Sequence, residues 1–110
     1  MQQHNSIHYT GLNDLNLMMQ ERVKRLVNEH TPKLRVHNTF SLDVHIAQHS
    51  PSGKRHKYVV HMRLSYPGGT ISTDKVHGWD ILQAVRHALK NMELLVTKRF
   101  QRKYKPAVPV

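Results

Sequence analysis

Residues 58–70, YVVHMRLSYPGGT, decide the fold of this 110-residue chain. The first nine alternate, with one set of side chains on one face: Tyr58, Val60, Met62, Leu64 and Tyr66. Strict alternation predicts a strand with one buried face. The Pro-Gly-Gly that follows predicts a tight hairpin turn, because glycine readily adopts positive φ. The stretch therefore predicts the centre of an antiparallel sheet.

The flanking segments extend this sheet on both sides. Upstream, residues 37–48 alternate again, with Phe40, Leu42, Val44 and Ile46 on one face. Residues 49–57 form a polar loop with Pro51 and Gly53, and residues 70–76 form the next strand. At the N-terminus, residues 6–10 alternate as a short strand that Gly11 ends.

Two amphipathic helices separate and follow these strands. Asn13 or Asp14 caps the first helix, which ends near His30 because Pro32 disfavours helix before it. Asp80 or Gly78 opens the second helix. The predicted apolar stripe of the first helix is Leu15, Met18, Met19, Val23 and Leu26. The stripe of the second is Ile81, Leu82, Val85, Ala88, Leu89, Met92, Leu95, Val96 and Arg99.

The order of elements is β-α-β-β-β-α, which predicts an α+β fold. Two helices with one apolar stripe each can pack on one face of a four-stranded sheet. The first strand reaches the sheet through a helical crossover, so it is parallel to its neighbour. We expect a single domain over residues 1–105 and a short disordered tail over residues 106–110.

Charge is the strongest global property of the chain. It has 17 Lys and Arg, 7 Asp and Glu and no Cys, and its net charge is +10 with neutral His. Such an excess favours a polyanionic partner. The absence of Cys removes thiolate metal sites and cysteine nucleophiles, and it fits a cytoplasmic protein. No apolar run is long enough for a membrane span, and we see no signal peptide.

The positive charge is concentrated in three segments. Residues 81–105 carry seven Lys and Arg against Glu93 alone, and residues 20–35 and 54–57 are also basic. Repeated, exposed cations on helix surfaces meet the requirement for phosphate binding. Phe100 and Tyr104 could stack on unpaired bases, but Phe100 is better explained as a cover for the end of the core.

Catalytic and metal sites have little support in the sequence. The chain has ten His, and His45 and His61 share the polar face of a hairpin, but their spacing matches no known zinc motif. Surface His that gains charge below about pH 6.5 is the simpler interpretation. Carboxylates are few and scattered, and no serine lies in a nucleophile-elbow motif. We expect a non-enzyme without cofactor, metal or small-molecule substrate.

Residues 67–89, PGGTISTDKVHGWDILQAVRHAL, resemble the ribosome hibernation-promoting factor and ribosome-associated inhibitor A family. That family has a Gly-Gly turn, a strand, and a helix that opens with Asp and an Ala-Ile pair, which Asp80 and Ala84-Val85 match. Residues 19–30 are similar to its first helix. The chain differs at Leu82, usually Tyr, and at Arg86, usually acidic. The resemblance covers residues 6–105.

The resemblance implies a short-form protein that binds the small ribosomal subunit, blocks its mRNA and tRNA channel and inhibits translation in idle cells. We expect the protein to be a monomer when it is not bound to a ribosome. Carried over by position, the contacts with rRNA are Lys24, Arg25, Arg86, Lys90, Lys98, Arg99, Arg102 and Lys103. From their charge we add the loop residues Lys54, Arg55 and Lys57.

Two other functions remain open on sequence grounds. The order α-β-β-β-α is close to that of a double-stranded RNA-binding domain, so a general duplex RNA or DNA binder is one alternative. The other is a protein-interaction module that uses the exposed sheet face of Val59, His61 and Arg63.

Overall fold

The computed structural model describes residues 6–34, 36, 39–49 and 55–104, with residues 101–104 as backbone alone. Five strands and two long helices follow one another along the chain: β1 (Ser6–Thr10), α1 (Leu17–His30), β2 (Ser41–His49), β3 (Lys57–Tyr66), β4 (Gly69–Ser72), β5 (Val76–Gly78) and α2 (Ile81–Tyr104). Short 3-10 turns at Leu12–Asp14 and Thr31–Leu34 flank α1. The predicted tail at 106–110 lies outside the described residues.

One mixed sheet carries the fold. β1 is parallel to β2, β2 is antiparallel to β3, and both β4 and β5 are antiparallel to β3. The two helices cover one face of this sheet. The predicted α+β class, the parallel first strand and the two-helix layer are therefore confirmed.

The predicted last strand, residues 70–76, is interrupted in the structure. Arg63 pairs with Ser72 and Val60 pairs with Val76, so three residues of the later strand oppose two of β3. This extra residue is a bulge in the pairing. The Thr73 N–H donates to the Met62 carbonyl at 2.9 Å, and the Thr73 hydroxyl accepts from the Met62 N–H at 2.9 Å. The hydroxyl therefore replaces a backbone acceptor where the pairing breaks.

The start of α1 differs from the prediction. Asn16 is the N-cap, and its side-chain oxygen accepts from the Met19 N–H at 2.8 Å. Asn13 and Asp14 lie instead in a 3-10 turn that follows Gly11. The predicted end at His30 is confirmed. A 3-10 turn before the helix therefore moves the cap two residues beyond Asp14 and three beyond Asn13.

The apolar stripe of α1 is also shifted. Val23, Leu26 and Val27 are buried, whereas Met18, which we predicted in the stripe, is 62% exposed. Met18 lies five residues before Val23, which is about 140° around a helix of 3.6 residues per turn. Leu15 is buried as predicted, but it precedes the helix.

Helix α2 supplies much of the core. Asp80 caps it, because its carboxylate accepts from the Leu82 and Gln83 N–H groups at 3.0 and 3.3 Å. The buried side chains of α2 are Ile81, Ala84, Val85, Ala88, Leu89, Met92 and Val96. Phe100 is half-buried against the same core, as predicted, while Arg99 is exposed. No helix in the described part of the chain is long and apolar enough to cross a membrane.

Candidate nucleic-acid interface

Four of the predicted RNA-binding cations lie on the outer surface of the helix layer. Lys24 and Arg25 on α1 and Arg86 and Lys90 on α2 are all exposed. Arg86 and Lys90 are one helical turn apart, so they lie on the same side of α2. The helices thus present cations away from the sheet, as predicted.

A shallow cleft joins the two helices at this surface. It has a volume of about 230 Å³ and brings Arg25 of α1 together with Arg86 of α2. The remaining lining residues are Arg22, Leu26, Glu29 and Leu82. Arg22 is not among the predicted RNA-binding residues. It adds a third guanidinium where the helices meet, and only their packing reveals it.

The outer surface of α1 is more mixed in charge than that of α2. A second shallow cleft, of about 440 Å³, lies along α1 beside Lys24 and Arg25. Its other lining residues are Glu21, Asn28 and Glu29. Carboxylates therefore sit among the cations of α1, whereas residues 81–105 contain Glu93 as their one acidic residue. The stronger positive potential belongs to α2.

The C-terminal cations of α2 do not all share the outer surface. Lys98 and Arg99 are exposed, but Arg99 donates from Nη1 to the Tyr66 hydroxyl at 3.0 Å. Tyr66 ends β3, so Arg99 reaches back to the edge of the sheet. Arg102 and Lys103 belong to α2, where the structure describes their backbone. Of these C-terminal cations, Arg99 therefore lies toward the sheet edge and not on the outer surface of the helix layer.

The predicted loop cations lie near the opposite end of α2. Arg55 and Lys57 approach the indole ring of Trp79, with Arg55 Cζ 4.5 Å and Lys57 Nζ 5.8 Å from the ring centroid. Lys54 lies outside the described residues. Trp79 is 46% exposed and immediately precedes the helix cap Asp80. Sequence reasoning missed Trp79, because this contact depends on the pairing of β5 with β3.

The sheet face opposite the helices carries several histidines. His45 and His61 are paired across β2 and β3 and stack with ring centroids 4.6 Å apart and 7° between their planes. Partial burial, together with His45 and Lys75, holds the pKa of His61 below its usual value. Among the described residues no three His, Cys, Asp or Glu side chains converge as a metal site. Val59 and His61 are partly exposed and Arg63 is exposed on this face.

Comparisons with known proteins show which solved structures share this fold. No protein-family model and no curated protein matches the sequence. A ribosomal subunit interface protein from Coxiella burnetii matches with a TM-score of 0.59 and 18% identity, over 86% of this chain and 97% of that one. This chain shares the fold of that protein. The N-terminal domain of Thermus thermophilus Protein Y matches over 91% of this chain and 99% of its own, with a TM-score of 0.53 and 18% identity.

The likeness to these two structures covers nearly the whole chain. It confirms the resemblance on which the sequence prediction drew, at the level of the fold. At 18% identity it says nothing about individual site residues. The placement of the cations on the helix layer is an observation of this chain alone.

Proposed function

We propose that this protein associates with ribosomes as a non-enzymatic factor. It binds rRNA of the small subunit through the outer surfaces of α1 and α2 and occupies the channel used by mRNA and tRNA. Two solved structures with this fold carry the names ribosomal subunit interface protein and Protein Y, which supports the ribosomal role. A factor of this kind inhibits translation and acts in the cytoplasm, where ribosomes are.

The single observation that carries this proposal is the continuity of cations across the helix layer. Arg86 and Lys90 follow one another on α2, and the cleft brings Arg25 of α1 against Arg86. Each phosphate that such a surface neutralises releases condensed counterions, which gives affinity without base recognition. Binding therefore follows the shape and phosphate positions of folded rRNA, and a rigid helix pair is suited to it.

The first test is co-sedimentation of the purified protein with separated small and large subunits at two salt concentrations. Neutralisation of about five phosphates predicts that affinity falls by about 10²–10³-fold between roughly 50 and 200 mM monovalent salt. Binding to the small subunit with this dependence supports the proposal. Equal binding to both subunits, or no binding at the lower salt, contradicts it.

Charge reversal tests the surface itself. The double variant Arg86→Glu and Lys90→Glu should weaken association and lower the salt slope by about 2, since two phosphate contacts are lost. A matched control is Arg63→Glu with Lys75→Glu, which makes the same change in net charge on other exposed residues, one of them on the open sheet face. The control should bind nearly as the wild type does. The reverse result would assign the partner to the sheet face.

Occupation of the channel has its own test. Pre-bound protein should prevent tRNA and mRNA from binding to the small subunit, and it should inhibit translation in a purified system. Simultaneous binding of protein and tRNA would contradict occlusion. A naked RNA duplex should compete weakly, and competition as strong as that of the subunit would indicate a general duplex-binding module.

A further inference from the structure

Trp79 is the one tryptophan of the chain, and it lies on the surface. It stands between Gly78, the last residue of β5, and Asp80, the cap of α2. Gly78 pairs with Tyr58 of β3, and this register brings Trp79 beside Lys57 at the start of β3. The backbone pairing thus fixes the indole at the edge of the sheet.

Two cations surround this indole. Arg55 lies over the ring at 4.5 Å and Lys57 lies at 5.8 Å, both within the range of cation–π attraction. Trp79 still exposes 46% of its surface. Within the described residues its indole N–H has no hydrogen-bond acceptor. A large aromatic side chain is thus held in place by its backbone and cations, with much of its surface open to a ligand.

Packing does not account for this arrangement. Trp79 belongs neither to the buried core nor to the partly buried side chains around it. The other exposed large apolar residues in the described part of the chain are Leu17, Met18 and Leu94, and none of them is aromatic. Among the residues that the structure describes, an exposed aromatic ring flanked by two cations occurs at this position alone.

Aromatic rings beside cations are the elements that proteins use to hold unpaired nucleotides. A base stacks on the ring, and the adjacent Lys and Arg contact its phosphates. We propose that Trp79, Arg55 and Lys57 form a site for one unpaired nucleotide of an RNA strand. This site rests on the proposed RNA-binding function and adds to it a contact with a single-stranded segment.

The position of the site relates it to the helix surface. Arg86 lies five residues beyond Ile81, which corresponds to about 8 Å along α2. A strand leaving Trp79 can therefore continue toward Arg86 and Lys90. Arg99 is about 27 Å from the start of the helix and does not belong to this site.

The single tryptophan makes a direct experiment possible. The full-length protein is titrated with an octaadenylate RNA and, in parallel, with an eight-base-pair RNA duplex, while tryptophan fluorescence is recorded. Stacking on Trp79 should quench the fluorescence saturably with the single strand and much less with the duplex. Quenching should survive moderate salt in part, because stacking is less salt-dependent than phosphate contacts.

Variants read by the anisotropy of labelled octaadenylate complete the test. Trp79→Ala should weaken binding by about tenfold, and Trp79→Phe by less, because phenylalanine keeps a ring for stacking. Arg55→Gln with Lys57→Gln should weaken binding of octaadenylate. The salt dependence of that binding should not become steeper. The matched control Arg63→Gln with Lys75→Gln also removes two exposed cations, of which Arg63 lies about 20 Å along β3 from Lys57, and it should have a smaller effect.

The outcomes separate this site from the ribosomal function. Binding of octaadenylate without quenching, or equal affinity of Trp79→Ala and the wild type, overturns the site even if ribosome association is intact. Quenching with the expected loss in Trp79→Ala supports it, even if co-sedimentation with the small subunit fails. Stronger quenching by the duplex than by the single strand also overturns it.

Discussion

Arg99 on α2 is tied to Tyr66 at the end of β3 by a hydrogen bond of 3.0 Å from Nη1 to the phenol oxygen. The same tyrosine ring packs on Phe100, with centroids 5.3 Å apart and planes tilted by 59°. Tyr66 thus contacts two successive residues of α2. The pair fixes the C-terminal half of the helix against the β3–β4 turn.

A double-mutant cycle tests this link. Tyr66→Phe keeps the ring and removes the hydroxyl, so it should lower the free energy of unfolding by about 1 kcal/mol or less, because the bond is exposed. Arg99→Gln should cost a similar amount. The two changes together should cost little more than either, since they remove one shared bond. Additive effects in urea denaturation would show that the bond is not formed in solution.

Thr73 is the polar residue on which the interrupted strand depends. Thr73→Val preserves its shape but leaves the Met62 N–H without its acceptor, so we expect a loss of about 1–3 kcal/mol in the free energy of unfolding. Thr70→Val, at an exposed position of β4, is the control and should change stability by less than about 0.5 kcal/mol. Equal effects in urea denaturation would refute the role of the hydroxyl.

Gly11 occupies a position that only glycine suits. Its φ is +84°, and a Cβ there would collide with the Ile46 carbonyl oxygen. Gly11→Ala should therefore destabilise the protein by more than about 1 kcal/mol. Gly78→Ala is the matched control, because its Cβ would meet Ala84 at an ordinary 3.7 Å. Thermal unfolding should separate the two, and similar midpoints would contradict the close approach.

The stacked histidines predict a dependence of stability on pH. The pKa of His61 is lowered by desolvation first, and then by His45 and Lys75. Between that lowered pKa and about 6.5, the unfolded chain binds more protons than the folded one. The contribution of His61 to the free energy of unfolding should therefore be fully present above about pH 6.5. It should be lost as the pH drops through this window. Denaturation of His61→Gln should show a shallower dependence.

An NMR titration provides the direct measurement for the same pair. In His45→Gln the pKa of His61 should rise part of the way toward its usual value, because desolvation, the larger cause, remains. Lys75→Gln should produce a smaller rise. An unchanged His61 pKa in both variants would mean that the neighbouring charges do not act on the ring.

The strands and the end of α1 were predictable because local patterns define them. Alternation over β2 and β3 reflects one buried face, and Pro32 limits α1 whatever the rest of the chain does. The break at Thr73 was not predictable in this way. The residues of that segment alternate well enough for a continuous strand, and the bulge arises from how it matches β3.

The candidate site also has features that the sequence predicts and features that depend on the tertiary structure. The excess of cations on α2 is a property of the sequence, and helical periodicity already places Arg86 and Lys90 together. Helix packing and strand register decided which of these cations meet other residues. Helix packing brings Arg25 close to Arg86 and Arg99 to Tyr66. Strand register places Arg55 over Trp79.

The sequence by itself determined the order of elements, the buried faces and the sign of the surface charge, because each follows from residues close together in the chain. The tertiary structure alone decided which distant side chains meet. Those contacts join residues 24 to 61 positions apart, and only the packing of the helices and the pairing of β3 with β5 bring them within a few ångströms.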